Sequence, residues 1–147
     1  MTVVERFAEA FNRRDVEGIL ACFTDDATYG DLFYGDAVGH EELRVLFDRM
    51  LGEGAEVEWT PDNVVAAPGV EIVEWTFRLV VSDAVPRRAG RTLSLRGVSV
   101  FELRDGRCCA YREYFDRGVG LVQLGFDPAA LHRVLSREPR SLLAHRG

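Results

Sequence analysis

Residues 101–116, FELRDGRCCAYREYFD, contain the side chains whose spacing most suggests chemistry. Arg104-Asp105-Gly106 reads as the turn of a hairpin, because Asp-Gly supplies the backbone that a tight β-turn needs. In the strand that follows, alternation puts Tyr111, Glu113 and Phe115 on one face and Ala110, Arg112 and Tyr114 on the other. A carboxyl between two aromatic rings on a buried face has a raised pKa and can act as an acid or base near neutral pH. On a solvated face the same Glu113 is an ordinary surface charge. This stretch alone leaves both readings open.

Other chemistries lack their residues. Gly-x-Ser-x-Gly is absent, and Gly118-x-Gly120 has neither the preceding long strand nor the third glycine of a dinucleotide fingerprint. His40, His132 and His145 are scattered, and Cys22, Cys108 and Cys109 have no metal-ligand spacing. No metal site and no cofactor are expected. All 18 cationic residues are arginine, so no lysine is present to form a Schiff base.

At 147 residues with 47% hydrophobic and 29% charged residues, the chain reads as one globular domain with a substantial core. A net charge of -6 argues against a nucleic-acid partner. Glu5 and Glu9 interrupt the N-terminal run that a signal peptide would need, and no apolar stretch is long enough for a membrane span. A cytoplasmic protein with three reduced thiols is the expectation.

Thr2 and Glu5 form a potential capping box before the helical spacing of Val4, Phe7, Ala8 and Phe11, which should end near Arg13. Asp15 starts a second helix through Phe23, followed by a turn at 24–26, a strand over 27–31 and a glycine-marked loop over 35–39. Leu43, Leu46, Phe47 and Met50 mark a third helix, with His40 near its start as a cap. Strands are predicted over 55–60, 64–67, 70–81, 91–103 and 107–115, with a polar loop over 82–90. A helical turn over 118–125 and a last helix from Asp127-Pro128 to about 136 complete a single domain over 1–136. Residues 137–147 read as a mobile tail. Helices first and strands second imply an α+β fold, with three N-terminal helices packed on a curved, antiparallel-rich sheet of five or six strands. Such a cone encloses one pocket.

The segments FAEAFNRRDVEGILACFTDDATYGD, GVSVFELRDGR and YREYFDRGVGLVQLG resemble the SnoaL-like branch of the nuclear-transport-factor-2-like superfamily, over about residues 3–125. That branch includes polyketide cyclases, ketosteroid isomerases and limonene-epoxide hydrolases. The resemblance to limonene-epoxide hydrolases places their water-binding tyrosine on Tyr29, their asparagine on Asp31 and their aspartate on Glu113. Their Arg-x-Asp relay falls on Trp75-Thr76-Phe77, which has no charge. The resemblance to ketosteroid isomerases puts the general-base aspartate on Asp31, but their oxyanion-hole donors fall on Phe7 and Ser99. Asp31 also suits a plain turn beside Gly30, and Tyr29 a core tyrosine.

The resemblance therefore implies a site of Asp31, Glu113 and Tyr29. Leu95, Gly97, Ser99, Phe101, Tyr111 and Phe115 would line it by strand alternation, with Trp75, Phe77 and Leu79 as an apolar wall. Asp116 reads as structural. Arg87, Arg88 and Arg91 form a solvated loop or meet an anionic substrate at the cone mouth.

Two function classes stay open. One is a cofactor-independent cyclase, isomerase or dehydratase acting on an apolar polyketide-, steroid- or terpenoid-like small molecule, with epoxide hydrolysis as the alternative. The other is a non-catalytic ligand-binding or assembly domain. A carboxylate pair in an aromatic pocket favours the enzyme, because pure binding does not require costly buried acids. A homodimer through the outer sheet face (Arg96, Val98, Val100, Arg112 and Tyr114) is also expected.

Overall fold

The computed structural model describes residues 1–137. Helix α1 (Val3–Asn12) begins at the capping box of Thr2 and Glu5 and buries Val4, Phe7, Ala8 and Phe11. Its first turn is also held from the sheet: the buried Glu71 carboxylate accepts the N–H groups of Val3 (3.2 Å) and Val4 (2.9 Å). At the far end, the Asn12 side chain bonds both the N–H and the C=O of Trp59. Both ends of α1 are thus fixed to strands, and Phe7 sits between, edge-on to Trp59 and Phe101.

Helix α2 (Val16–Ala21) is capped by Asp15 and is shorter than the sequence suggested. Phe23 and Thr24 to Asp26 belong to strand β1 (Phe23–Asp31) rather than to a helix end and a turn. The tertiary pairing of β1 prevails over the local turn preference of the Asp-Asp pair. The glycine-marked loop is likewise a strand, β2 (Gly35–Val38), paired antiparallel with β1. Helix α3 (Gly39–Gly52) buries the expected stripe of Leu43, Leu46, Phe47 and Met50. Val38 precedes it without a side-chain cap; the His40 Nε2 atom instead lies 2.9 Å from the Phe23 carbonyl oxygen.

Strand β3 (Gly54–Ala67) is continuous, with a register shift between Pro61 and Asn63 where two strands had been expected. Proline cannot donate to the ladder, so the strand bulges there and resumes. Strands β4 (Val70–Val81), β5 (Thr92–Arg104) and β6 (Arg107–Phe115) complete a six-stranded sheet of order β2-β1-β6-β5-β4-β3. Every neighbouring pair is antiparallel except β1 and β6, which run parallel. Helices α4 (Arg117–Gln123) and α5 (Pro128–Leu135) follow, N-capped by Asp116 and Asp127. The three cysteines are free. No described helix is long and apolar enough to cross a membrane. The expected tail lies outside the described residues, apart from Arg137.

One close approach positions the site. Trp75 on β4 pairs with Gly97 on β5, and two carbons of the indole lie against that glycine. A Cβ on Gly97 would meet Trp75 ring carbon Cζ2 at 2.5 Å and the Tyr114 carbonyl oxygen at 2.7 Å. The carbonyl belongs to the backbone of β6 and cannot yield. Gly97 is therefore not cavity wall as alternation implied; Trp75 covers it.

Two outcomes test this reading. Glu71→Ala leaves two N–H groups at the start of α1 without their buried acceptor and should destabilise the fold by about 1–3 kcal/mol in urea unfolding. Gly97→Ala should cost about 1–3 kcal/mol through overpacking and also shift the tryptophan emission of the native state.

Candidate active site

Strand parity and the parallel β1–β6 pairing build the site. Tyr29 pairs with Tyr111, and two residues further along each strand, on the same face, come Asp31 and Glu113. The two tyrosine rings stack at 4.1 Å between centroids and 8° between planes. Cys109 is an extra residue in β6, since Leu103 pairs with Cys108 and Glu102 with Ala110. The inner face therefore runs outward from Cys108 (0% exposed) through Tyr111 (3%) and Glu113 (8%) to half-buried Phe115.

Tyr29, Asp31, Tyr111 and Glu113 line one cavity of about 550 Å³. Trp75, Phe77, Leu79, Leu95 and Phe115 form its expected apolar wall, joined by Phe7, Phe11 and Trp59. Ser99 and Phe101 do not line it. Both are wholly buried behind the wall, where Phe101 packs edge-on to Tyr111 at 5.0 Å. Alternation gives the correct face for these two residues but not their depth.

Ser99 acts from behind. The Trp75 indole donates to the Ser99 hydroxyl (2.7 Å), which lies 2.8 Å from the Tyr111 hydroxyl, and Tyr111 donates to Glu113 Oε1 (2.8 Å). An indole N–H can only donate, and the single Tyr111 proton goes to Glu113, so the serine proton must point to Tyr111. The chain of donors therefore runs one way, from Trp75 to Glu113. With Oε1 occupied as an acceptor, a proton on Glu113 resides on Oε2. The Leu32 N–H approaches that oxygen only at 3.4 Å.

Asp31 is held differently. Its Oδ1 accepts the N–H groups of Phe33 and Tyr34, each at 2.8 Å, across the turn that joins β1 to β2. The residue both forms the turn and lines the cavity.

These environments separate the two acids. Burial holds the Glu113 carboxyl well above its ordinary range, and the nearby Asp31 charge raises it further; the bonds from Tyr111 and Leu32 oppose this only in part. Burial also raises Asp31, to about 6, against the pull of the Tyr34 and Phe33 N–H groups. Two short backbone donors favour the anion at Asp31, so it ionises first and its charge keeps Glu113 protonated. Burial, then the Glu113 charge, raises both Tyr29 and Tyr111, which remain phenols.

Several residues at the site carry no periodic signal in the sequence. Glu53, just past α3, accepts bonds from the Tyr34 hydroxyl (2.6 Å) and Arg49 Nε (2.9 Å). Arg88, Arg117, Leu124 and Phe126 come from the 82–90 loop, from α4 and from the segment after it. Among the described residues no three His, Cys, Asp or Glu side chains are placed to hold a metal ion.

The comparisons agree with this architecture. The chain is similar, at 24% identity and a TM-score of 0.68, to an LEH-like epoxide hydrolase from M. tuberculosis, over 92% of this chain and 94% of that one. A putative polyketide cyclase from Silicibacter sp. is 25% identical with a TM-score of 0.71, over 82% and 91% of the two chains. A protein from Catenulispora acidiphila with a ketosteroid isomerase-like fold, in complex with trimethylamine, is 17% identical with a TM-score of 0.74, over 86% and 96%. No curated protein matches the chain. The SnoaL-like domain profile matches residues 4–111, from α1 through β5 to Tyr111 on β6 and short of Glu113 and Phe115, and the chain belongs to that family of the nuclear-transport-factor-2-like superfamily.

Proposed function

We propose that the protein is a cofactor-independent acid–base enzyme of the cyclase, isomerase or dehydratase type, acting on an apolar polyketide-, steroid- or terpenoid-like molecule in its cavity. The observation that carries this reading is the unequal pair of buried carboxyls, Asp31 and Glu113, lining one aromatic chamber. Asp31, the more readily ionised, removes a proton from a carbon or hydroxyl next to a carbonyl. Glu113, kept protonated, hydrogen-bonds the carbonyl oxygen and delivers a proton as charge develops there. Tyr29 orients a substrate oxygen or a water. Placing an acid and a base side by side in one chamber is the arrangement such proton shuttling needs.

Epoxide hydrolysis is the second reading. Its support is the likeness to an epoxide hydrolase, together with the sequence resemblance that puts a water-binding set on Tyr29, Asp31 and Glu113, all of which line the cavity. Against it, the hydrogen-bond chain to Glu113 is built from Trp75, Ser99 and Tyr111, with no guanidinium to relay charge between acids. A purely ligand-binding role leaves the cost of two buried carboxyls unexplained.

Candidate polyketide, steroid and terpenoid carbonyl compounds, assayed for turnover, test the reading directly. Glu113→Gln and Asp31→Asn should each lower kcat about 10²–10⁴-fold while circular dichroism stays native. Unchanged turnover of the substrate in both variants would overturn the reading.

The pH dependence follows from the direction of the shifts. Activity should rise as Asp31 loses its proton near pH 6 and fall at higher pH as Glu113 ionises. Stability carries the same signature. Glu113 binds its proton more tightly folded than unfolded, so its stabilising contribution is complete below the unfolded carboxyl range and is lost as pH rises through the folded value. Glu113→Gln should remove that loss, so its urea midpoint relative to wild type should improve with rising pH. The homodimer through the outer sheet face belongs to this proposal, and light scattering at micromolar concentration should give twice the 16.5 kDa chain mass.

A further inference from the structure

The outer part of the cavity has a chemistry that proton transfer does not use. Arg49, Arg88, Arg117 and the exposed Arg137 line it with Glu53. Glu53 neutralises Arg49 at 2.9 Å. Arg88 and Arg117 have no such partner among the described residues. Arg88 donates to the Leu124 carbonyl (2.6 Å) and lies over the Phe126 ring, 3.9 Å from its centroid. Arg117 reaches the Val134 carbonyl at 3.4 Å. Carbonyls and a ring face orient a guanidinium but leave its full charge in place.

Two half-buried cations without carboxylates are notable on a chain of net charge -6. Arg44, Arg78 and Arg104 are each paired with an acid, whereas Arg14 is held by the Leu51, Gly54 and Ala55 carbonyls away from the cavity. Arg88 is also held in one orientation by its carbonyl and ring contacts, with much of its fork still available. A guanidinium fixed in this way at a cavity wall is a preformed oxyanion receptor.

We infer that the ligand of this cavity is amphipathic: an apolar ring system or chain with an oxyanion, a carboxylate or a phosphate, seated on Arg88 and Arg117. Its body lies along Leu93, Leu95, Leu121 and Phe115, and its neutral, reacting end points toward Asp31 and Glu113. The inference rests on the acid–base reading only for calling that ligand a substrate. Polarity fixes the direction of entry, because the Asp31 charge repels an anion from the inner end while the two arginines attract it to the outer one. The site therefore selects which end of a molecule meets the acid and base.

The test uses three probes that share one ring system: 1-naphthaleneacetate, its methyl ester and 1-naphthyl phosphate, titrated calorimetrically into the intact chain at low and high salt. At least one anion should bind about tenfold or more tighter than the ester, with the advantage shrinking as salt rises. The tighter of the two anions identifies the oxyanion. The double variant Arg88→Gln/Arg117→Gln should lose the preference while keeping the ester affinity, and Arg88→Lys/Arg117→Lys should retain part of it. Equal binding of acid and ester by the wild type would overturn the inference, as would saturable binding of none of the three probes. A double glutamine variant that loses anion and ester alike would overturn it too. Glu113→Gln should keep the anion preference, so loss of the acid–base reading and loss of this one give different results.

Discussion

An ionised carboxylate in the position of Glu113 would lose several kcal/mol of hydration, and its surroundings return only part of that through one phenol and one distant N–H. The neutral acid has no such cost. Much of the inner cavity follows from this constraint. The Tyr111 hydroxyl occupies one carboxyl oxygen, Ser99 fixes the direction of Tyr111, and Trp75 fixes the direction of Ser99. Gly97 is the residue that lets the indole lie close enough to do so. A short array of donors thus sets which oxygen of Glu113 carries the proton.

Asp31 meets the same low dielectric with a different local backbone. The turn between β1 and β2 aims two N–H groups at one carboxylate oxygen, so its anion is supported where that of Glu113 is not. Because the strands bearing the two acids run parallel, their spacing is set by the sheet rather than by flexible loops. The difference in proton affinity between two chemically similar side chains is therefore a property of the fold. It persists as long as the Tyr29–Tyr111 register does.

The sequence showed the parity of β6 plainly: Tyr111, Glu113 and Phe115 share a face, and the Asp-Gly turn marks where that strand begins. The capping box of α1 was equally legible, since it is a local pattern, and Asp116, read only as structural, is the N-cap of α4. Ser99 and Phe101 show where parity stops being informative. They are on the inner face, yet they sit below the cavity floor, because alternation fixes a side and says nothing about position along a cone. The parallel pairing of β1 with β6 joins segments about 80 residues apart and has no local signature, which is why β1 was read as a shorter strand after a turn. The outer rim was the least legible part. Arg88 belongs to the 87–91 arginine cluster that the sequence offers either to solvent or to an anionic substrate. Glu53 and Arg117 come from a helix end and a short helix, neither of which repeats with a period that points at the cavity.

The same division separates what the fold conserves physically from what it can vary. The inner end is built on strands whose register and stacking leave little freedom, and the acid–base pair rests there. The rim is built on the loop over 82–90 and on α4 with the segment after it, where a change of residue alters charge without disturbing the sheet. Arg88 links these parts, donating from the loop to Leu124 while stacking on Phe126. On the proposed acid–base reading, a cavity made this way keeps one proton-transfer geometry at its inner end and selects ligands at its outer one. Ligand choice and proton transfer are then separable in the structure, and a change of substrate requires no change to Asp31 or Glu113.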